Sequence, residues 1–98
     1  MMCVEGQEFD WDEHNILHLG QHGVSRPEAE QAILDPDAVM LEFQIEGEED
    51  RVKAVGRTSS GRILVAVFTF RGEAIRPITA YDATIRDQSL YLKGGQYE

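Results

Sequence analysis

Between Asp10 and Asp35 the sequence spells two helices and the turn that folds them together. No other feature constrains the fold as much. Asp10, with Glu13 three residues on, has the form of a capping box opening a helix over residues 11–22. Gly23 follows as a C′ stop, and Val24 is placed to touch Leu19 across a Schellman-type turn. Ser25 and Glu28 make a second capping box, with Pro27 in the first turn of a second helix that ends at Asp35-Pro36. The hydrophobic period then changes from helical to two. In residues 38–45, Val39, Leu41, Phe43 and Ile45 alternate with other residues. Residues 46–50 are an acidic loop, and residues 51–58 alternate again before the turn Ser59-Ser60-Gly61. Residues 62–70 are apolar on both faces, as a central strand is. Arg71-Gly72-Glu73 is a tight turn into a last strand, residues 74–81, where Pro77 demands an edge position or a bulge. Residues 83–92 read as a closing helix with Asp82 as N-cap, and residues 8–11 as a short leading strand. The predicted order is β-α-α-β-β-β-β-α. It implies an α+β fold with the first two helices on one face of an antiparallel sheet, a C-terminal helix, and the other sheet face free to bind.

Ninety-eight residues suffice for one domain, with its core over about residues 8–93. The longest apolar run, residues 63–70, is too short to cross a bilayer, and no secretory signal is expected, since no basic segment leads into an apolar one. Cys3 is the single cysteine and forms no internal disulfide, which suits a reducing cytoplasm. The net charge is −9, divided unevenly. Residues 1–50 carry fourteen Asp and Glu against one Arg; residues 51–98 carry eight Lys and Arg against four Asp and Glu. An acidic half and a basic half suit two different partners, because a local patch rather than the whole-molecule charge governs a phosphate contact.

Arg51, Lys53, Val55 and Arg57 share one face of a predicted strand. Cations at alternate positions either bind phosphate or guard a solvated edge. By the same alternation Arg76 shares a face with Ala74, Ile78 and Ala80, where an arginine is either paired with a buried carboxylate or aimed at a ligand. All three histidines, His14, His18 and His22, stand four residues apart on one side of the first helix. They lie two turns apart overall, with no HExxH pattern and no cysteine pair, so no metal and no cofactor is expected. General acid–base work by His18 or His22 and a packing role at the helix surface both remain open.

The run from Trp11-Asp-Glu-His-Asn15 through His18, His22-Gly-Val-Ser25 and Glu28-Ala-Glu30 resembles the opening of BrnT-type toxins. The second half is similar too, in Val55-Gly-Arg57-Thr58, the run from Gly61 to Phe68, Arg71-Gly72, Ile75-Arg76-Pro-Ile-Thr-Ala80 and Ala83-Thr84. The resemblance covers residues 9–93. It implies a RelE-like fold and a type II toxin that cleaves RNA without metal through the RNA's own 2′-hydroxyl. It also implies inhibition by an antitoxin, such as a basic ribbon-helix-helix protein, in a hetero-oligomer. Arg57 and Arg76 match family arginines suited to stabilising the phosphorane, and His22 matches the histidine of the family's Gly turn, a candidate base. Where many family members have an arginine, this chain has Tyr81, a proton donor or base-stacking platform. Arg57, Arg76, His22 and Tyr81 are therefore the candidate catalytic residues, and Arg51, Lys53 and Arg71 the candidate RNA-binding ones. The alternative is an inactive relative that serves as a protein-interaction module.

Overall fold

The first helix opens at Asp12 rather than Asp10. A computed structural model describes residues 6–46 and 49–94; the expectations for residues 1–5 with Cys3, for residues 47 and 48 of the acidic loop and for residues 95–98 lie outside the described residues. Helix α1 spans Glu13–Gln21. The Asp12 carboxylate accepts the Asn15 N–H at 3.1 Å, and the Asn15 side-chain oxygen accepts the Asp12 N–H at 2.8 Å. This is a capping box, set two residues later than the sequence reading placed it. Asp10 is not free to cap because it is still extended: its N–H donates to the Ile75 carbonyl at 2.8 Å, and the Ile75 N–H donates to the Glu8 carbonyl at 2.9 Å. The leading strand is thereby reduced to a single parallel bridge between Phe9 and Ile75.

The turn after α1 is the expected one. Gly23 takes φ 69°, its N–H reaches the Gly20 carbonyl, and the Val24 N–H reaches the Leu19 carbonyl, both at 3.0 Å. Leu19 and Val24 are both buried. Helix α2, Arg26–Leu34, starts from the Ser25–Glu28 capping box. Four strands follow, β1 (Val39–Glu46), β2 (Glu49–Arg57), β3 (Ile63–Arg71) and β4 (Ala74–Asp82). They form an antiparallel meander in the order β1-β2-β3-β4. Helix α3, Ile85–Leu92, is capped by Thr84 and not by Asp82. Asp82 is still the last residue of β4, and its carboxylate is engaged by Arg62 at 2.8 Å.

Leu19, Val24, Ala29 and Ala32 from the helical hairpin pack on Ala54, Leu64, Ala66, Phe68, Ile75 and Ala80 from the sheet. Ala29 and Ala32 let α2 sit low on the strands. It sits so low that a β carbon at Gly56 would run into the Ala32 carbonyl. The opposite face, expected from the sequence to be free, is not fully so. Helix α3 covers one end of it, where Val55, Val65 and Ala83 are buried among Val39, Leu41, Ile63, Tyr81 and Tyr91. A ten-residue closing segment with apolar Leu90 and Tyr91 had to be buried somewhere, and the first face was already taken by α1 and α2.

Two one-residue irregularities set which side chains reach which face. In β4, Pro77 pairs with Phe68 and Thr79 with Val67, leaving Ile78 without a register partner. Strict alternation puts Arg76 beside Ala80; the bulge separates them. Ala80 lies in the helix-side core, whereas Arg76 pairs with Thr69 on the other face, along with Tyr81. Pro77 thus sits both on an edge strand and at a bulge. In β1 the register shifts between Met40 and Glu42. The predicted single stripe Val39, Leu41, Phe43, Ile45 is split: Val39 and Leu41 pack under α3, while Phe43, opposite Val52, joins Met40 on the helix side of the sheet.

Candidate functional site

Arg51 of β2, Thr69 of β3 and Arg76 of β4 are cross-strand neighbours in one row. With strands about 4.8 Å apart, the two arginines stand about 10 Å from each other on either side of Thr69. Thr69 is buried and its hydroxyl donates to the Asp50 carbonyl at 2.6 Å. Helix α1, which packs along edge strand β4 and not over the middle of the sheet, supplies the side wall. Its rotation is fixed by Asn15, which is buried and donates to the carbonyls of Pro77 and Asp10, each at 2.9 Å. With its oxygen also accepting from Asp12, the amide is satisfied, so its burial carries little penalty. The result is a groove of about 260 Å³ in which His14 and His18 face Arg51, Arg71 and Arg76.

The arginines are positioned by carboxylates on one flank. Arg76, with only 15 % of its side chain exposed, meets Asp12 at 2.9 Å and Asp10 at 3.7 Å, and Arg71 meets Asp10 at 3.5 Å. The Asn15 N–H holds the Asp12 carboxyl below the usual carboxylate range, overcoming desolvation, and Arg76 adds to the effect. A guanidinium has five N–H donors, so a carboxylate on one edge leaves others for a ligand. Arg76 is therefore paired with carboxylates and also lines the groove.

Along α1 the groove continues as a row of rings. His18 and His22 stack with centroids 5.8 Å apart and planes at 24°. His22 meets Tyr81 at 5.9 Å and 56°. Cations that grip phosphates, imidazoles that can donate or accept hydrogen bonds, and flat rings that stack on bases together suit a single-stranded nucleic acid.

The model of a family described as the ribonuclease toxin BrnT of type II toxin–antitoxin systems matches residues 11–87. The chain belongs to the BrnT toxin family. No curated protein matches it. Family membership makes it a toxin of the ribonuclease class, with RNA as substrate and a protein antitoxin as partner. Among the described residues no helix is long and apolar enough to cross a membrane, and no cluster of three or more His, Cys, Asp or Glu is arranged to hold a metal ion.

Of the residues singled out in the sequence, the fold joins some and separates others. Arg51, Arg71 and Arg76 share the groove, and Lys53 adjoins it in a small pocket that Arg51 also lines. His22 and Tyr81 touch. Arg57 does not join them: Val55 between it and Lys53 is buried under α3, and Arg57 lines a separate cavity of about 830 Å³ with Asp35, Asp37 and Tyr91. That larger cavity is the poorer site for an anion. Its carboxylate Asp35 accepts from Tyr91 at 2.7 Å, from the Arg57 N–H at 2.8 Å and from the Asp37 N–H at 2.9 Å. Its groups are engaged with one another and its fixed charge is largely negative. The sequence reading missed Asn15 and left His14 without a role. Asp12-x-x-Asn15 is itself a capping-box pattern, and it was the available signal for α1's true start.

Proposed function

We propose that this chain is a metal-independent endoribonuclease, neutralised by a cognate antitoxin, and that it cuts RNA in the groove between α1 and the sheet. The row Arg51–Thr69–Arg76 facing His14 and His18 carries the reading. RNA lies along Lys53, Arg51 and Arg71, which hold its phosphates. His22, stacked on His18, takes the proton of a 2′-hydroxyl. The 2′-oxygen attacks the adjacent phosphorus, and its new P–O bond replaces the bond to the 5′-oxygen. His18 gives a proton to that leaving oxygen, yielding a 2′,3′-cyclic phosphate and a 5′-hydroxyl. Arg76, held rigid by Asp12, faces the charge that builds on the phosphorane. Tyr81 stacks on a flanking base. Such work belongs in the cytoplasm, where a DNA-binding antitoxin of the ribbon-helix-helix type would also act. Arg57, which the resemblance offers for charge stabilisation, stands outside this reacting set.

Cleavage of single-stranded RNA by purified variants tests the reading. Arg76→Ala is expected to slow cleavage by about 100-fold or more, as for loss of a transition-state donor. Arg57→Ala is expected to keep activity within a few-fold, and a chelator to change nothing. Loss of activity in Arg57→Ala with retention in Arg76→Ala would move the site to the larger cavity. A wild-type chain that neither cuts RNA nor arrests growth on induction would favour the interaction-module alternative.

A further inference from the structure

Strand β1 ends the sheet, and among the described residues no other strand pairs with its outer side. Proteins usually guard such an edge with lysine, proline or a cover. Residues 39–46 contain neither lysine nor proline, and their only guards are glutamates and the irregularity after Met40. Instead three large apolar side chains on this strand are open to solvent: Met40 is 61 % exposed, Phe43 52 % and Ile45 70 %. The register shift after Met40 puts Phe43 opposite Val52, which is itself opposite Phe68, and Phe68 meets Phe70 edge-on at 5.9 Å. Phe70 is half-exposed as well. An apolar band thus runs across the sheet from its unpaired edge, on the face opposite the Arg51–Thr69–Arg76 row.

The charge around this band selects what can cover it. Residues 42–50 carry five carboxylates and no cation. A second copy of the chain would bring the same five acids against them. A cationic partner would be drawn in, since complementary charge steers encounter and suppresses like-charged partners.

We infer that β1 is a docking edge for a basic partner protein, which adds an extended segment there as a fifth strand, its apolar side chains on Met40, Phe43 and Ile45 and its Lys or Arg residues toward Glu42, Glu49 and Asp50. Strand addition takes affinity from main-chain hydrogen bonds and specificity from alternate side chains. For the partner's identity this surface rests on the toxin–antitoxin function proposed above, in which the segment belongs to the antitoxin. Its position on the far face separates holding the partner from blocking the groove.

The test uses the full chain and a peptide of alternating lysine and valine, as long as the eight residues of β1. Binding is followed by amide NMR and hydrogen exchange. The peptide is expected to slow exchange at the outward amides of β1 and to leave the groove amides unchanged. Its glutamate–valine counterpart is expected not to bind. Phe43→Thr with Ile45→Thr, which keeps β propensity at two exposed positions, should weaken the lysine peptide by about tenfold. The same double variant should cleave RNA as the wild type does. Peptide binding at β1 by a chain that cuts no RNA would support the docking edge and overturn the ribonuclease reading. Equal binding of both peptides, binding in the groove, absence of binding at millimolar peptide, or a dimer that the double variant abolishes would each overturn the docking edge.

Discussion

The Asn15 side chain donates to the Pro77 carbonyl at 2.9 Å, joining residues 62 positions apart. The carbonyl belongs to the bulged stretch of β4, and the amide belongs to the first turn of α1. One bond therefore sets the helix that carries the histidines against the strand that carries Arg76.

Replacing Asn15 with leucine, of similar volume, removes the bonds to Pro77, Asp10 and Asp12 and leaves buried carbonyls unpaired. The expected loss is about 2–4 kcal/mol of unfolding free energy, read by urea denaturation. RNA cleavage should fall even at temperatures where the variant is fully folded, because His14 and His18 lose their anchor. A variant as stable and as active as the wild type would show that α1 is held by its apolar side alone.

Gly56→Ala places a methyl group on the Ala32 carbonyl, with backbone on both sides of the clash. Overpacking of this kind costs roughly 1–3 kcal/mol. Thermal unfolding should report it as a lower midpoint, with RNA binding retained by the folded fraction. An unchanged midpoint would mean that α2 can lift from the sheet at little expense.

Tyr91 and Asp35 give stability a dependence on pH at both ends. The bond from the Tyr91 O–H to Asp35 pushes the phenol up to about 12 from its usual 10.0, with burial adding to it. A raised folded value means that the contribution is whole below pH 10 and is lost as pH rises through about 12. Burial alone would raise Asp35, but bonds from Tyr91 and from the Asp37 and Arg57 amides outweigh it and hold the carboxyl below its usual 3.8. That contribution is present above 3.8 and disappears as pH falls through the lower folded value. Tyr91→Phe should cost about 1–2 kcal/mol at neutral pH and flatten the alkaline limb. Alkaline unfolding curves that coincide for the two proteins would count against the bond.

RNA affinity should fall as salt rises, and each phosphate contact removed should lower that slope by about one. Arg51→Ala, Lys53→Ala and Arg71→Ala are expected to do so singly. Arg57→Ala is expected to leave the slope where it was, because it lines the other cavity. A lowered slope in Arg57→Ala alone would place the RNA path beneath α3.

Much of the architecture is legible in the residues, because its signals are local. The Gly23 turn, the Ser25–Glu28 box and the turn-bounded strand segments each follow from neighbours within a few positions. Asp10 was a reasonable cap and failed because Ile75, far along the chain, captured its N–H. The covering of one sheet end by α3 also depends on distant packing, through Tyr91 and Val55. The faces of β1 and β4 were the least legible, since alternation carries no mark of an extra residue. Pro77 gave warning of one; nothing at Leu41 warned of the other. The site shares this limit. Cations on β2 were visible as a set, whereas their row with Arg76 exists only through strand register.

The unpaired Ile78 acts as a parity bit for the whole strand. Arg76 and Tyr81 are an odd number of residues apart, so an uninterrupted strand would send them to opposite sides. A chain shortened by that one residue would keep its composition, its helices and nearly all its apolar content. Its guanidinium and its phenol would nevertheless be unable to face the same ligand. For sequences of this kind, a single insertion or deletion in the last strand changes more of the chemistry than most substitutions do, and aligning them without regard to that residue would equate positions that point in opposite directions.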